Sequence, residues 1–568
     1  MTVTLTDDDL PLQRIYRWER ERAQQVFLTQ PYGGGQIREW TWSQAVGEAR
    51  RIAAHLRAQN WEPGTRVAIL SKNCAWWMLA DLAVWMSGHV TVPVYPSLRP
   101  QSVRHIIEHS ESKACFFGPV DDPEMPRLGI PSGVHRISFP TAADTGHYRW
   151  EDLVRAVEPL AGHPTRPAHE LATIIYTSGT TGVPKGVMHS FRALATDAVF
   201  LQERVHATAE DRFLSYLPLA HIVERAGLES TAYLLGAHVF FVESVDTFLR
   251  DLKRARATIL LTVPRLLMKF QQGVFHRISR EKLEKRLHTP VVRALARRRV
   301  LSALGLSSTR LVACGAAPLP VEVMEWYRHL GIELAEGYGM TETMITHLPR
   351  VGEVRPGHVG PPLVGVESRV AADGELLIRS PMNMLGYFKD PESTCKVYDS
   401  DQFFHTGDLA TESPDGQVRI IGRIKEQFKT SKGKYVTPAP IESRLAENPA
   451  VEACCLMGAG LPSPFALVVL NPEERKRCLD ESARQELEES FRTQLQAVNN
   501  ELDPHERVAF LAVVDGPWTI ANGFITPTMK IRRTELEGKY LPIIDGWRAQ
   551  NRQVVWESVP VPETARHA

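Results

Sequence analysis

The chain has 568 residues, more than a single ordinary domain contains, so we expect at least two units that each bury a core. Lysine plus arginine and aspartate plus glutamate number 66 each, and this balance gives no global field for nucleic acid, which we predict is not a partner. The seven cysteines form no CxxC pair and have no neighbouring histidines, which argues against a zinc site and indicates reduced thiols.

The N-terminal segment MTVTLTDDDLPLQR is acidic where a secretory signal is basic and then apolar, so a cytoplasmic protein is expected. The most apolar stretch, residues 74–95, carries Asp81 and is interrupted by Gly88 and Pro93. It lacks the roughly 20 consecutive apolar residues that a membrane-spanning helix needs. We predict a buried helix followed by a strand.

Strands alternate with helices in the first part of the chain. Thr41 to Gln44 has the spacing of a capping box, and the next residues have helical apolar spacing before the strand-like run RVAIL. Later runs predicted as strands are VTVPV, KACFF, LATIIYT, HVFFV, TILLTV and RLVACG. This order predicts an α/β fold with mostly parallel sheets covered on both faces.

The pattern changes after about residue 360. VESRVAADGELLIRS and SPDGQVRIIGR contain Asp-Gly pairs that predict antiparallel hairpins, and so a smaller β-rich subdomain. From Lys425 onward, mixed character returns, with a charged helix expected around Glu473 to Leu502. A small α+β C-terminal domain is predicted there. The final VWESVPVPETARHA is expected to be disordered or loosely docked.

One segment contains the residue types that proteins use to bind phosphate. Residues 176–186 read YTSGTTGVPKG and follow an apolar strand. Glycines let the backbone approach phosphate oxygens, hydroxyl and N–H groups donate to them, and Lys185 adds positive charge. The spacing differs from that of a Walker A motif. We predict a phosphate-binding loop, the ordinary alternative being a flexible solvent loop.

Further motifs follow in a fixed order: GHVTVPVYP, LPLAHIVER, GYGMTE, HTGDL, GRIKE and PTMK. Together with YTSGTTGVPKG, this series resembles the motifs of the adenylate-forming (AMP-binding) superfamily, which includes acyl- and aryl-CoA synthetases, luciferases and peptide-synthetase adenylation domains. The resemblance extends from about residue 35 to about residue 535. It implies an N-terminal ATP- and acyl-binding domain (1–422), a hinge (423–426) and a mobile C-terminal lid domain (427–568).

The resemblance implies where ATP and Mg²⁺ bind. Tyr338 is expected to stack on adenine, Thr341 to contact the α-phosphate, Glu342 to hold Mg²⁺ and Asp408 to accept hydrogen bonds from the ribose hydroxyls. Each of these residues alone is compatible with ordinary loop chemistry. The full set expected at ATP is Thr177, Ser178, Gly179, Thr180, Thr181, Gly182, Lys185, Gly315, Ala316, Ala317, Tyr338, Gly339, Asp408 and Arg423.

Three further residues receive roles from the resemblance. Lys530 is similar to the mobile catalytic lysine, whose cation holds a carboxylate beside the ATP phosphates and stabilises charge at the α-phosphorus. Lys425 matches the hinge position about which the small domain rotates, the alternative being an interdomain salt bridge. His221 is expected where the acyl pocket meets the thiol channel, and a buried structural histidine is an equally simple interpretation.

LPLAHIVER, TVPRLL, KTSKGKYVTP and TPTMK resemble the long-chain branch of the superfamily. The expected reaction is therefore acyl-CoA synthesis from a medium- to long-chain fatty acid, ATP and CoA. The alternatives are an acyl-AMP ligase that loads a carrier protein, an aryl-CoA ligase, and a binding protein that has lost catalysis. Chain length, pathway and oligomeric state stay open.

Two local features stand out. Asp401-Gln402-Phe403 replaces the Asp-Gly-Trp or Asp-Gly-Phe that commonly precedes this superfamily's TGD motif, which predicts an altered turn. Residues 276–310 hold ten lysines or arginines against two acids. This basic segment fits a solvated helical face, and the alternatives are a surface for anionic lipid or incoming fatty acid, with peripheral contact at the inner face of a membrane, or a site for CoA phosphate.

Overall fold

A computed structural model describes residues 5–120, 128–143, 146–177, 184–315, 319–526 and 530–558. Within these ranges, no helix has both the length and the apolar character needed to cross a bilayer. All seven cysteines are free thiols, as predicted.

Helices and strands alternate along the first third of the chain. Its elements are α1 (Pro11–Glu21), β1 (Val26–Pro31), β2 (Ile37–Thr41), α2 (Trp42–Arg57), β3 (Arg66–Leu70), α3 (Ala75–Met86), β4 (Val90–Val94), α4 (Pro100–His109), β5 (Ala114–Phe117), β6 (His135–Ser138), β7 (Tyr148–Arg149), α5 (Trp150–Ala156) and β8 (Leu171–Thr177). The predicted capping box is present at α2, where the Thr41 hydroxyl accepts from the Gln44 N–H and the Gln44 side chain accepts from the Thr41 N–H.

The alternation continues through residue 347. The elements are β9 (Lys185–Ser190), α6 (Phe191–Val205), β10 (Arg212–Ser215), α7 (Ile222–Glu224), α8 (Thr231–Leu235), β11 (His238–Phe241), α9 (Phe248–Ala255), β12 (Ile259–Thr262), α10 (Pro264–Phe275), α11 (Arg280–His288), α12 (Pro290–Leu304), β13 (Leu311–Cys314), α13 (Val321–His329), β14 (Glu333–Glu336), β15 (Tyr338–Met340) and β16 (Met344–His347). Between α7 and α8 the chain forms a π-helix at Arg225–Ser230.

The remaining part is richer in antiparallel strands. Its elements are β17 (Glu367–Val370), β18 (Glu375–Arg379), β19 (Gly386–Tyr387), α14 (Pro391–Lys396), β20 (Phe404–Glu412), β21 (Val418–Arg423), β22 (Phe428–Lys429), β23 (Tyr435–Val436), α15 (Pro438–Leu445), β24 (Val451–Met457), β25 (Phe465–Leu470), α16 (Pro472–Arg477), α17 (Glu481–Asn500), β26 (Leu511–Val513), α18 (Arg533–Tyr540), α19 (Ile544–Ala549) and β27 (Val554–Trp556). Short 3₁₀ turns occur at Asp7–Asp9, Ile424–Glu426 and Leu541–Ile543.

The sheets of the large domain are mostly parallel, as predicted. An eight-stranded sheet has the order β19-β9-β8-β4-β3-β5-β6-β7, parallel from β8 to β7 and antiparallel at the β8, β9 and β19 edge. A second sheet pairs β12, β13 and β14 in parallel. Every residue of α3 is buried, which confirms the buried helix predicted before β4. Thr177 and Cys314 stand at carboxyl ends of strands, where α/β proteins commonly bind ligands.

The hairpin predictions are also confirmed. Strands β17, β18, β20 and β21 form one antiparallel sheet. In the turn before β20, Gln402 adopts φ +63°, a left-handed conformation that glycine reaches at least cost. Gln402 lies in this turn, and Asp408 lies further along the chain, within β20.

Two predictions for the C-terminal part are wrong. The charged segment expected as one helix forms α16 and α17, because Asp480 caps a new helix by accepting from the Ala483 N–H. The start of the expected loose tail is ordered, because β27 pairs with β26 and buries Val555. Residues 559–568 lie outside the described part.

The hydrophobic clusters of the C-terminal part draw only on residues from Phe428 onward. One cluster lies between α17 and the sheet of β24, β25, β26 and β27, and the other packs α18 and α19 on the opposite face. Separate cores favour a small unit that can move as a body. The boundaries 1–422, 423–426 and 427–568 stay a prediction that this packing supports.

Candidate active site

The glycine-rich segment connects β8 to β9, where Thr177 lies opposite Lys185. The Lys185 ammonium lies 3.3 Å from the Asp390 carboxylate and donates to the Ser393 hydroxyl. An incoming phosphate would have to share or displace these partners. The other predicted loop residues lie outside the described part: Ser178, Gly179, Thr180, Thr181 and Gly182.

Tyr387 connects this lysine to the predicted metal carboxylate. The Tyr387 hydroxyl donates to Glu342 Oε1 at 3.0 Å, and the Lys185 ammonium lies 4.9 Å from the centre of the Tyr387 ring. Burial and the neighbouring Glu342 raise the pKa of Tyr387, so the phenol stays protonated and donates. The sequence analysis missed Tyr387, because a Gly-Tyr pair in a two-residue strand carries no recognisable chemical signature.

Tyr338, Asp408 and Arg423 form a contiguous polar wall. The Tyr338 hydroxyl donates to Asp408 Oδ2 at 2.7 Å, and the Arg423 Nε lies 2.9 Å from Asp408 Oδ1. The pairing of β20 with β21 places Asp408 and Arg423 opposite each other. Burial lowers the pKa of Arg423, but the charges of Asp408 and of the other acidic groups around it together outweigh this effect and raise the pKa. The three residues predicted to bind the nucleoside therefore do converge.

Two glycines beside this polar wall allow other parts of the backbone to approach closely. A Cβ at Gly339 would overlap the carbonyl oxygen of Met344, so no other residue fits there. A Cβ at Gly315 would stand 3.3 Å from the Gly337 carbonyl oxygen. The predicted Ala316 and Ala317 lie outside the described residues.

The backbone carbonyl of Thr341 is hydrogen-bonded to a histidine that the sequence analysis missed. His189, at the end of β9, places its Nε2 2.6 Å from the Thr341 carbonyl oxygen. Burial lowers the pKa of His189 to about 4, so its ring is neutral near pH 7 and donates through Nε2–H. This contact fixes the backbone between Gly339 and Glu342.

A cavity of about 120 Å³ opens beside Thr341 and Gly339. His221 and Lys530 border it, and much of its lining is apolar: Leu201, Val205, Phe213, Ile259, Leu261 and Leu311. His221 Nδ1 accepts from the Val223 N–H at 3.2 Å, which leaves Nε2 to carry the ring proton. Burial and then the nearby Lys530 lower the pKa of His221 to about 4, so this ring is also neutral near pH 7.

Lys530 belongs to the small domain yet reaches the large domain's cavity. Desolvation and the charge of Arg423 lower the pKa of Lys530, while Asp408 and Glu342 act in the opposite direction. The Lys530 N–H donates to the Thr526 hydroxyl at 3.1 Å, which anchors its backbone. The hinge candidate Lys425 is exposed in the Ile424–Glu426 turn.

A fully buried ionic cluster lies behind the site, with Arg225 of the π-helix at its centre. Arg225 contacts Asp81 at 2.8 Å and Glu229 at 2.9 Å, and these side chains are at most 1% exposed. Its guanidinium carbon also lies 5.2 Å from the Trp77 ring centre. Burial raises the pKa of Asp81 and of Glu229, and Arg225 opposes both shifts.

A two-domain α/β enzyme of the adenylate-forming type is the class that this fold and these ordered segments define. The chain belongs to the AMP-binding enzyme family: the family model for the AMP-binding enzyme matches residues 15–388, and that for the AMP-binding enzyme C-terminal domain matches residues 425–551.

Similar proteins share most of the chain length. Long chain acyl-CoA synthetase 1 of Arabidopsis thaliana is 30% identical, over 89% of this chain and 87% of the relative. The peroxisomal long chain acyl-CoA synthetase 7 of the same plant is 29% identical, over 93% of this chain and 84% of the relative. The crystal structure of the anthranilate CoA ligase AuaEII with anthranoyl-AMP aligns with a TM-score of 0.77 at 21% identity, covering 94% of this chain and 99% of that one, which shows a shared fold.

Proposed function

We propose that the protein is an ATP-dependent acyl-CoA synthetase that converts a fatty acid, ATP and CoA into acyl-CoA, AMP and pyrophosphate through an acyl-adenylate. The observation that carries this proposal is the position of Lys530, which comes from the C-terminal part of the chain and borders the same cavity as His221 and Thr341. The names of the similar long chain acyl-CoA synthetases support the same activity.

Lys530 acts in the first half-reaction, in which a carboxylate oxygen attacks the α-phosphorus and pyrophosphate leaves. Carboxylate and triphosphate repel each other, and an ammonium between them lowers that repulsion and stabilises charge on the transferring oxygens. Tyr338 and Asp408 bind the nucleoside, and Arg423 holds Asp408 in place. The small domain therefore completes the adenylation site.

Glu342 is the residue that would hold Mg²⁺. Among the described residues, no group of three or more His, Cys, Asp or Glu side chains is placed to hold a metal ion. This fits Mg²⁺, which proteins commonly bind through one or two carboxylates plus substrate phosphates. When bound, Mg²⁺ neutralises phosphate charge. Tyr387 fixes the Glu342 carboxylate through Oε1.

His221 acts as a neutral hydrogen-bond donor. Its Nδ1 accepts a hydrogen bond from the Val223 N–H, so the ring proton is on Nε2. The ring borders the cavity together with Lys530. A donor at this position can orient the acid's carboxyl group for attack, and later the acyl carbonyl when the CoA thiol attacks and AMP leaves. Both half-reactions then use one acyl position.

The substrate assignment is tested with purified protein, ATP, Mg²⁺ and acids from acetate to palmitate, plus benzoate. We expect pyrophosphate release that depends on the acid, and acyl-CoA when CoA is present. Acyl-AMP that accumulates unchanged with CoA present favours an acyl-AMP ligase that loads a carrier protein, and a preference for benzoate favours an aryl-CoA ligase. Absence of pyrophosphate release with every acid would disprove the proposal.

The hinge role of Lys425 gives a selective prediction. Lys425→Pro fixes the backbone φ in the Ile424–Glu426 turn, so it should leave acyl-adenylate formation within a few-fold of normal but slow thioester formation by about tenfold or more. Single-turnover assays of the two half-reactions measure this difference. Lys425→Ala, which removes the same side chain but leaves φ free, is the control. Equal effects of both variants on both half-reactions would contradict domain rotation about Lys425.

We also propose that the basic segment 276–310 contacts the cytoplasmic face of an anionic membrane. On α12, Val292 and Leu295 are exposed beside the exposed Arg293, Arg298 and Arg299, a mixture that favours an anionic lipid surface. Vesicles containing phosphatidylserine should bind the protein, and Arg293→Glu, Arg298→Glu and Arg299→Glu together should weaken co-sedimentation. Charge reversal at Lys432 and Lys434 is the control. Unchanged binding in the α12 variant would rule out this contact.

A further inference from the structure

The ammonium group of Lys185 lies against α14 and the short strand β19 that precedes it. Its Nζ atom is 3.3 Å from Asp390 Oδ2, and it donates a hydrogen bond to the Ser393 hydroxyl. It also lies 4.9 Å from the centre of the Tyr387 ring. The cation that is expected to bind phosphate therefore already has an anion, a hydroxyl group and an aromatic ring as partners.

The two carboxylate oxygens of Asp390 have separate partners. Oδ1 accepts from the Ser393 N–H at 2.9 Å and caps the first turn of α14, while Oδ2 faces Lys185. The hydrogen bonds from Ser393 and then the nearby Lys185 lower the pKa of Asp390 to about 2, so this carboxylate is charged throughout the neutral range. Its charge can therefore be removed without removing the helix cap.

The backbone around Asp390 is held in place relative to β9. The Tyr387 N–H donates to the Thr394 hydroxyl at 2.9 Å, and this hydroxyl donates to the Asp390 carbonyl oxygen at 2.9 Å. Tyr387 also pairs with Val187 of β9, close to Lys185 in the chain. The side chain of Lys185 is 30% exposed, and its flexible stem can turn. When Lys185 changes partner, the lysine moves and the acid stays.

A carboxylate and a phosphate group can compete for one ammonium group. Solvent screens the pair of Lys185 and Asp390, whose side chains are 30% and 37% exposed. Contacts of this kind change an equilibrium constant by about twofold to fivefold. Such a contact is strong enough to alter the affinity for a ligand and weak enough for ATP to displace it.

We propose that Asp390 and Ser393 compete for the ammonium group of Lys185 with ATP and with the pyrophosphate that leaves. They weaken ATP binding by a small factor, and they take the lysine back as pyrophosphate departs, which favours release of this product. Asp390 is a positioning residue, because it acts through Lys185. The inference rests on the proposed function, which supplies ATP and pyrophosphate as the ligands of Lys185.

Asp390→Asn is the decisive variant, because asparagine caps a helix as well as aspartate does but carries no charge. We expect the Kd of a non-hydrolysable ATP analogue with Mg²⁺, measured by calorimetry, to fall by about twofold to fivefold. The inhibition constant of pyrophosphate in the acyl-CoA assay should fall by a similar factor. The Kd of adenosine, which has no phosphate, should be unchanged. Asp390→Ser, which also keeps a capping oxygen, replaces this variant if it fails to fold.

Glu392→Gln is the matched control. Glu392 is an acid of the same helix, its side chain is 80% exposed, and it pairs with Lys396. Its substitution should change neither the affinity for the ATP analogue nor that for pyrophosphate. Equal effects of Glu392→Gln and Asp390→Asn would show a general electrostatic field around α14 and overturn the proposal.

A double-mutant cycle tests whether Asp390 acts through Lys185. In a Lys185→Met background, Asp390→Asn should leave the Kd of the ATP analogue unchanged, because the cation for which the groups compete is gone. The same gain in affinity in both backgrounds would mean that Asp390 repels the triphosphate directly, and this result would also overturn the proposal.

The calorimetry needs no fatty acid, so the two proposals can fail separately. Unchanged affinity for the ATP analogue in Asp390→Asn, in an enzyme that makes acyl-CoA, overturns the inference about Lys185 alone. A wild-type protein that binds the analogue but makes no acyl-CoA from any acid overturns the proposed function. The affinities of Asp390→Asn then still decide whether Asp390 competes for Lys185.

Discussion

Lys530→Ala is expected to lower the rate of acyl-adenylate formation by about 10² to 10³, the usual effect of removing one group that stabilises transition-state charge. Lys530 reaches a cavity that otherwise consists of large-domain residues, so we expect no other cation of the small domain to replace it. Thioester formation from supplied acyl-AMP should stay near normal, because the triphosphate has already left. Single-turnover assays with ATP and acid, or with acyl-AMP and CoA, measure the two steps.

Lys476→Ala is the matched control for this prediction. Lys476 is an exposed lysine of the same small domain, on α16, and it should affect neither half-reaction. Lys530→Arg keeps the charge but changes its shape and should recover only part of the adenylation rate. If Lys530→Ala slows both half-reactions equally, Lys530 has a structural role and the assigned chemistry is incorrect.

Most of the fold could be predicted because each strand has a strong local pattern. RVAIL and VTVPV became β3 and β4, and the Asp-Gly pairs became hairpins. The break between α16 and α17 was missed because a charged, helix-forming segment hides the cap at Asp480. The strand β27 was missed because its stability depends on β26, which lies over 40 residues earlier in the chain.

The residues of the site also fall into two groups, those that local motifs predict and those that only the fold brings together. Tyr338, Asp408 and Arg423 were predicted from separate motifs, and the fold does join them. Tyr387 and His189 could not be predicted, because their partners Glu342 and Thr341 lie 45 and 152 positions away along the chain. Only packing of β9 and β19 beside the GYGMTE segment creates these contacts, which is a tertiary effect without a local sequence pattern.

The buried ionic cluster around Arg225 gives the second prediction with a large expected effect, a loss of stability on removal of its cation. Arg225→Met removes the only cation that contacts both Asp81 and Glu229 in the described structure and leaves two carboxyl groups buried without it. Breaking a buried ion pair from one side costs about 3–5 kcal/mol of the free energy of unfolding. Urea unfolding at pH 7 measures this loss. Arg17→Met, which breaks the exposed pair with Glu21, should cost under about 1 kcal/mol.

The cost of Arg225→Met should also depend on pH. Burial already raises the pKa of Asp81 and of Glu229 in the folded protein, and loss of Arg225 removes the charge that opposes this rise. A carboxyl group with a raised folded pKa contributes stability below its unfolded pKa of about 4 and loses it as pH rises through the folded value. The difference in unfolding free energy between wild type and variant should therefore grow from pH 5 to pH 8.

An apolar replacement of the whole cluster separates charge from packing. Asp81→Leu and Glu229→Leu combined with Arg225→Met remove all three buried charges, and such replacements are often neutral or stabilising. The triple variant should therefore recover most of the stability lost in Arg225→Met and lose its added pH dependence. The opposite result is a triple variant that is as unstable as Arg225→Met, with stability in both variants depending on pH as it does in the wild type. That result would show that Arg225 acts through its packing against Trp77 and not through its charge.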